Sequence, residues 1–176
     1  YLRKSIVTDP FTRLNSNDNT PAVLHTEITE GDKVVIKLMP KGGGSENSGA
    51  FTTLLPGAGK EGVKDFVIQT VKKTGGKSCP PVSIGVGIGG TMDLCCRLAK
   101  QALFRPFGER NPDAAYARFE EEILESVNDL GIGPMGCGGL VTALDARVEV
   151  YPCHITALPV AVNFQCHAFR LASAEL

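Results

Sequence analysis

Two strand-like runs near the C-terminus, residues 140–150 and 158–164, constrain the fold more than any other feature of the sequence. Pro152 interrupts the first run, because proline cannot donate a ladder hydrogen bond, and it leaves Cys153 and His154 in a loop. The second run leads directly to another cysteine. The pattern therefore predicts that polar, metal-competent side chains are presented at strand ends, where a rigid scaffold can hold a reactive site.

The whole chain predicts a mixed α and β fold of the α+β class, with an antiparallel-rich sheet covered by about three helices. Apolar residues recur at helical spacing in the helical segments, and β-branched residues dominate the strands. The predicted strands are 22–28, 34–39, 82–88, 140–150 and 158–164, and the predicted helices are 59–74, 92–103 and 114–130. A turn sequence at 30–32 predicts that the first two strands form a hairpin. Because hairpins and consecutive strands outnumber strand–helix–strand units, we do not expect a doubly wound parallel sheet.

Composition excludes several classes of function. With 176 residues the chain is long enough for one good core, and we expect a single domain over residues 1–176. The 18 basic residues nearly balance the 19 acidic ones, so we expect neither a nucleic-acid nor a membrane partner. The apolar runs are too short to cross a bilayer and no secretory leader precedes them, which predicts a cytoplasmic protein.

Two glycine-rich segments leave alternatives open. Lys41-Gly42-Gly43-Gly44-Ser45 follows a predicted strand, and it is either a flexible connector or a loop whose backbone N–H groups bind an anion. The run G-V-G-I-G-G at 85–90 precedes a predicted helix, whose N-terminus is a second geometric candidate for an anion. That run departs from the dinucleotide fingerprint G-x-G-x-x-G, so we do not expect a nicotinamide or flavin site.

The six cysteines include no C-x-x-C pair, which weakens zinc-ribbon and thioredoxin interpretations. Cys95 and Cys96 lie in a predicted helix, where a free cysteine usually packs as a small hydrophobe. Cys79 precedes two prolines and Cys153 follows one, so both are expected on fixed turns outside the strand ladders. Thiols from distant turns can together hold an iron–sulfur cluster, but the pattern alone does not decide whether these do.

Four motifs in order add a family resemblance. They are K-G-G-G-S-E-N at 41–47, C-P-P-V-S-I-G-V-G-I-G-G-T at 79–91, L-G-I-G-P-M-G-C-G-G at 130–139, and P-C-H-I-T-A-L-P-V-A-V-N-F-Q-C-H-A at 152–168. From about residue 3 to residue 170 the chain resembles the class I, iron–sulfur-dependent fumarate hydratases, in particular the alpha subunit of the two-subunit form. L-tartrate dehydratase alpha subunits are close relatives that share these motifs.

The resemblance implies a hydro-lyase that adds water to fumarate to give L-malate, with a 4Fe-4S cluster held by three cysteines. It implies that Cys79 and Cys166 are two of these ligands and that the remaining cysteine lies upstream of this chain. It implies that His154 is a catalytic and substrate-binding residue, and that Arg3 and Gly44 also bind the substrate. The first motif here reads Y-L-R-K-S, with Tyr1 where the family carries asparagine.

The resemblance also implies partners. Further acid and base groups belong to a beta subunit or a C-terminal domain, so we expect a homo- or hetero-oligomer and expect this chain to be inactive alone. Because the chain begins at Tyr1, we expect it to be the C-terminal part of the catalytic domain, with its upstream segment missing. The alternatives are an L-tartrate dehydratase alpha subunit and a non-catalytic iron-binding or interaction module. We further expect the Cys79 and Cys166 sulfurs to face one cavity near His154.

Overall fold

The structure, a computed structural model, describes residues 3–176, so Tyr1 and Leu2 of the first motif lie outside the described residues. Its internal contacts separate two compact units, Tyr1–Val34 and Val35–Leu176, where the sequence predicted a single domain. No helix within residues 3–176 combines the length and the apolar character needed to cross a bilayer.

The first unit is a loop fixed by hydrogen bonds between side chains and backbone. An isolated antiparallel bridge joins Val7 to Asn15, and the Asn15 amide donates to the Lys4 carbonyl at 2.8 Å. Asn19 accepts from the Ser5 amide at 2.6 Å and donates to the Arg3 carbonyl at 2.9 Å. These short polar side chains offer the backbone local partners, which is why the segment needs no ladder.

The second unit contains the regular elements. Its strands are β1 (Val35–Leu38), β2 (Ala50–Leu54), β3 (Val82–Gly89), β4 (Ala143–Tyr151), β5 (Leu158–Gln165) and β6 (Ala172–Glu175). Its helices are α1 (Gly43–Asn47), α2 (Gly59–Thr74), α3 (Met92–Ala102) and α4 (Ala114–Asn128). The three long helices fall where the 3.6-residue periodicity predicted them, and Gly75, at φ 52°, ends α2.

The main sheet has the order β2-β5-β3-β4. Strand β5 pairs antiparallel with both β2 and β3, whereas β3 and β4 are parallel. The predicted α+β class is therefore confirmed, and the sheet is antiparallel-rich. Strands β1 and β6 form a separate two-stranded antiparallel sheet.

The main sheet lies between two helical layers. One face packs on α2 and α4 through Ile84, Val86 and their neighbours, which form the larger apolar core. The other face packs on α3 and approaches it closely at two glycines. A Cβ on Gly85 would lie 2.0 Å from the Ala99 carbonyl oxygen, and one on Gly87 would lie 2.1 Å from that of Cys95. Gly85 and Gly87 of the 85–90 run therefore serve helix–sheet packing.

The predicted hairpin of 22–28 with 34–39 is wrong. Residues 22–28 form no strand, and their apolar side chains are exposed, with Ile28 fully so. Strand β1 lies within the second prediction, but it pairs with β6 at the other end of the sequence. Strand β1 is itself exposed, so pairing with β6, and not burial, distinguishes it from residues 22–28, and apolar content alone did not reveal that partner. The sequence analysis also missed α1, β2 and β6.

Buried charges close the outer edge of β4. The Glu120 carboxylate is fully buried, accepting from the Val148 amide at 2.8 Å and from Arg105 Nη1 at 2.5 Å. Arg105 Nη2 and Asn111 Nδ2 both donate to the Val148 carbonyl. Because these groups use the backbone donor and acceptor that an edge residue would expose, the edge is protected from pairing with another strand.

Candidate functional site

The sheet brings Cys79 and Cys166 to the same end of its two central strands, β3 and β5. Strand β3 begins three residues after Cys79, β5 ends immediately before Cys166, and Ser83 pairs with Gln165 in the antiparallel ladder. The amide of His167 donates to the Cys79 carbonyl oxygen at 3.3 Å, across 88 residues of sequence. The two cysteines are therefore neighbours. We call this end of the sheet, with the turns that carry the two cysteines, the cysteine end.

His167 joins the two turns a second time. Its Nδ1 lies 3.0 Å from the Cys79 carbonyl oxygen. Because a carbonyl oxygen can only accept, Nδ1 carries the proton of a neutral ring in this contact. This contact with the Cys79 backbone gives His167 a supporting role at the cysteine end.

Cys79 lies on an unusual backbone turn. Its φ and ψ are 57° and 63°, in the left-handed region, directly after the 3₁₀ turn Gly75–Ser78. Its amide donates to the Gly76 carbonyl at 3.1 Å, and the next carbonyl, that of Pro80, accepts from Met135 at 2.8 Å. The thiol is half-buried. A non-glycine residue held at positive φ is uncommon, and such residues cluster at functional sites.

Glycine contacts pack three of the sequence motifs together at the cysteine end. A Cβ on Gly44 would lie 2.2 Å from the Lys77 carbonyl oxygen, in the turn that leads to Cys79. A Cβ on Gly76 would lie 2.6 Å from the carbonyl oxygen of Met135, and one on Gly136 would lie 2.8 Å from the Gly76 Cα. The triple-glycine, C-P-P and L-G-I-G-P-M-G motifs therefore meet through backbone surfaces. We call this packing the glycine cradle.

The chain after Cys166 is also fixed. Phe169 donates its amide to the Cys166 carbonyl at 3.0 Å, and its ring packs on Phe107 with centroids 4.1 Å apart. The guanidinium carbon of Arg147, which is fully buried, lies 4.8 Å from the Phe107 centroid and 5.2 Å from the Phe169 centroid. This cation–π stack fastens the turn that follows Cys166 to strand β4.

The contacts of Lys41 bear on whether the segment 41–45 is a flexible connector. Its ammonium group contacts Asn163 Oδ1, the Phe164 carbonyl oxygen at 2.6 Å and Glu46 Oε2 at 3.0 Å. Burial lowers the pKa of Lys41, and attraction to Glu46 opposes that shift. The lysine is therefore fully engaged within the protein. The triple glycine that follows begins the short helix α1, so it is not a flexible connector.

His154 lies at the opposite end of the sheet, contrary to the expectation that it shares a cavity with the two cysteines. It belongs to the loop between β4 and β5, where the Pro152 carbonyl accepts from the Gly90 amide at 3.2 Å. Strand β5 separates this loop from Cys166, and its eight residues span roughly 23 Å at ~3.3 Å per residue. His154 and Cys166 are close in sequence, but the extended strand β5 lies between them, so the sequence alone did not reveal this distance.

His154 lines a cavity at this end of the sheet. Its volume is about 690 Å³, and its wall is mostly apolar, with Arg118 and Lys60 among its charged residues. Lys60 is already paired with Glu122 at 2.7 Å. The Thr156 amide donates to His154 Nδ1 at 3.3 Å, so a neutral His154 ring carries its proton on Nε2.

The remaining thiols divide by burial. Cys95 is fully buried and donates to the Gly87 carbonyl at 3.2 Å, and burial raises its pKa to about 12. It is the packing thiol that the sequence predicted. Cys96 is half-buried, and burial also raises its pKa, whereas Cys137 and Cys153 are exposed.

The donor set at the cysteine end fits a contribution of two thiolates to a metal centre. No group of three or more His, Cys, Asp or Glu side chains placed to hold a metal ion occurs within residues 3–176. Cys79 and Cys166 nevertheless lie on adjacent, fixed turns, and both thiols are half-buried. Thiolate sulfur is the donor that iron–sulfur clusters use.

Substitution of Gly44 tests the glycine cradle. Gly44→Ala should lower the free energy of unfolding by about 1–3 kcal/mol, because the added methyl group overlaps the Lys77 carbonyl oxygen and the backbone must move. Urea denaturation measures the change. Gly43→Ala is the matched control, since its methyl group would meet only Asn47 Nδ2 at 4.0 Å. Equal effects of the two substitutions would contradict the proposed contact.

Comparison with known proteins gives concordant matches. The family model described as "Fumarate hydratase (Fumerase)" matches residues 1–175. The chain is 46% identical to the "Putative L(+)-tartrate dehydratase subunit alpha" of Methanocaldococcus jannaschii, covering 97% of this chain and 61% of that protein. It is 34% identical to the L(+)-tartrate dehydratase subunit alpha of Escherichia coli strain K12, covering 91% of this chain and 54% of that protein. The chain thus spans less than two thirds of these curated relatives.

Proposed function

The chain belongs to the fumarate hydratase family, and on that premise we propose that it is part of an iron–sulfur hydro-lyase that adds water reversibly to fumarate, giving L-malate. The observation that carries the proposal is the meeting of Cys79 and Cys166 at one end of the sheet, linked through His167. Two cysteines that the family resemblance assigns to one cluster lie on turns that contact each other, although a long stretch of sequence separates them.

Cys79 and Cys166 would hold two corners of a 4Fe-4S cluster, and a cysteine outside these 176 residues would hold a third. When bound, the cluster supplies a Lewis-acidic iron for the hydroxyl group that is added or removed. The chain's own contribution is positional. The left-handed turn at Cys79 and the stacked turn after Cys166 hold the backbone from which each thiol extends.

The substrate carries two carboxylates, which require hydrogen-bond donors. We assign Gly44 a backbone contact with one carboxylate, since it lies against the turn leading to Cys79. We assign Arg3 a bidentate contact with a carboxylate, which guanidinium geometry favours. The remaining acid and base groups would come from a beta subunit, a partner that the relatives' designation as alpha subunits supports.

Cysteine substitution in the full-length alpha subunit, assembled with its beta subunit, tests the proposal. After anaerobic reconstitution with iron and sulfide, Cys79→Ser and Cys166→Ser should each remove the cluster's visible absorbance and lower fumarate hydration by at least about a hundredfold, because serine is a poor ligand at neutral pH. Cys96→Ser, another half-buried thiol, is the matched control and should retain both. A reconstituted wild-type complex without hydratase activity would leave the two alternatives, an L-tartrate dehydratase and a non-catalytic iron-binding or interaction module.

Dehydration of L-tartrate is a second candidate activity, because the curated relatives bear that name. Both reactions exchange water at a four-carbon dicarboxylate, and the substrates differ in their hydroxyl groups. A site built around hydroxyl groups discriminates strongly against a substrate that lacks them, since its polar groups are then left unpaired.

We expect kcat/KM of the assembled wild-type enzyme to favour fumarate and L-malate over L-tartrate by at least about a hundredfold. Steady-state assays on each substrate with the same preparation measure the ratio. A higher kcat/KM for L-tartrate would assign the chain to the second activity.

For His154 the fold requires an amendment. Because β5 lies between His154 and Cys166, this histidine cannot reach a substrate held at the cysteine end of its own chain. We therefore propose that His154 binds the substrate in the active site of a neighbouring copy of the subunit, so that each site combines cysteines of one copy with the histidine of another.

Complementation tests this shared site. His154→Asn and Cys166→Ser should each be inactive alone, whereas randomly mixed dimers of the two should recover about a quarter of wild-type activity, since half are heterodimers with one intact site of two. A mixture of Cys79→Ser with Cys166→Ser is the control and should stay inactive, because both cysteines must come from one chain. Activity in His154→Asn alone, or no recovery in the first mixture, would contradict the proposal.

A further inference from the structure

We infer that Lys41 is a positioning residue that fixes the two cysteine turns relative to each other, by tying the end of β5 to the segment that packs against the turn before Cys79. The inference rests on the proposed function only in calling these cysteines ligands. The placement itself follows from the contacts of Lys41 and α1, and no role in the sequence analysis accounts for it.

The ammonium group of Lys41 has its full complement of partners. It carries three protons and has three acceptors, in Asn163, Phe164 and Glu46. The side chain is only 10% exposed. A buried ammonium is costly unless it is paired and hydrogen-bonded, and hydrogen bonds to charged groups are stronger than neutral ones. The arrangement therefore opposes movement of any of its members.

Two of these acceptors, in Asn163 and Phe164, lie near the end of β5, so Lys41 holds that end in place. Pairing between β2 and β5 ends where Ala50 faces Val162, so the last residues of β5 have no β2 partner on that side. Lys41 donates to the carbonyl of Phe164 in this uncovered part, two residues before Cys166. The side-chain amide of Gln165 also donates to the Pro40 carbonyl oxygen at 3.4 Å. Residues 40 and 41 thus replace a neighbouring strand immediately before the cysteine.

The same segment reaches the other cysteine through α1. Gly44 lies three residues after Lys41, and its backbone contacts the Lys77 carbonyl oxygen, two residues before Cys79. Glu46, also in α1, returns a carboxylate to Lys41. Lys41 and α1 therefore form a rigid connection. One end of it contacts the residues just before Cys166, and the other contacts the residues just before Cys79.

The chain offers a matched control in Lys100. This lysine of α3 pairs with the same carboxylate, at 2.6 Å from Glu46 Oε1, but its side chain is more exposed and, among residues 3–176, its ammonium group makes no hydrogen bond to β5. Replacing either lysine with methionine removes one positive charge beside Glu46. Only Lys41→Met removes the connection to the end of β5.

Thiol bridging measures the geometry without activity. The full-length alpha subunit, assembled with its beta subunit and prepared without iron under anaerobic conditions, is treated with dibromobimane, which bridges neighbouring thiols. Mass spectrometry then quantifies the peptide pair joined through Cys79 and Cys166. Lys41→Met should lower the rate of this bridging by about tenfold, because hydrogen bonds to a charged group are lost at the end of β5. Lys41→Arg, which keeps the charge and several donors, should recover part of it.

Two further variants separate positioning from stability. Lys100→Met should bridge at the wild-type rate. Val67→Ala, which opens a cavity in the buried core under α2, should lower the melting temperature but leave bridging of the folded protein unchanged. If Lys41→Met does not fold, Asn163→Ala removes one acceptor instead and should slow bridging about threefold. Bridging at the wild-type rate in folded Lys41→Met, or in Asn163→Ala where Lys41→Met does not fold, would overturn the inference.

The result is independent of the proposed activity. A wild-type complex that bridges Cys79 to Cys166 but never hydrates fumarate would refute the function and leave the role of Lys41 standing. A complex that is active, with bridging unaffected by Lys41→Met, would do the reverse.

Discussion

The antiparallel pairing of β3 with β5 is the constraint on which the rest of the second unit depends. It places the residue after the end of one strand beside the turn before the start of the other, so Cys166 and Cys79 meet without any local sequence motif. The same pairing forces the loop before β5 to the far end of the sheet, together with His154. One set of ladder hydrogen bonds therefore both assembles the two thiols and separates them from the histidine.

Local periodicity predicted those helices and strands whose own residues show an amphipathic pattern. The 3.6-residue spacing of valines in α2, and the β-branched run at the start of β3, are amphipathic patterns that a single face of the core satisfies. Residues 22–28 and strand β1 show where such signals end. Both are apolar, but only β1 forms a strand, because β6 supplies its pairing partner from the other end of the sequence. No local pattern records that partner.

The candidate site follows the same division. The family resemblance named Cys79 and Cys166, and the structure brings them together, but the distance to His154 depended on strand order and could not be obtained from spacing along the chain. Lys41 was visible in the sequence only as a charge beside three glycines, a pattern that suits an anion loop equally well. Its partners on β5 lie more than a hundred residues away, so their contact with Lys41 could be identified only in three dimensions.

The glycine cradle determines which substitutions the chain can accept near the cysteine end during evolution. Its contacts at Gly44, Gly76 and Gly136 join main chain to main chain, so no side-chain rotamer affects the distance between the backbone segments at these three points. The dimensions of peptide groups, which are the same in every protein, set that spacing. An apolar side chain on the helices around the sheet can therefore be exchanged for another without changing the distance between these backbone segments. A contact filled by side chains can repack after a substitution, whereas a contact between two backbones has no side chain that can adjust.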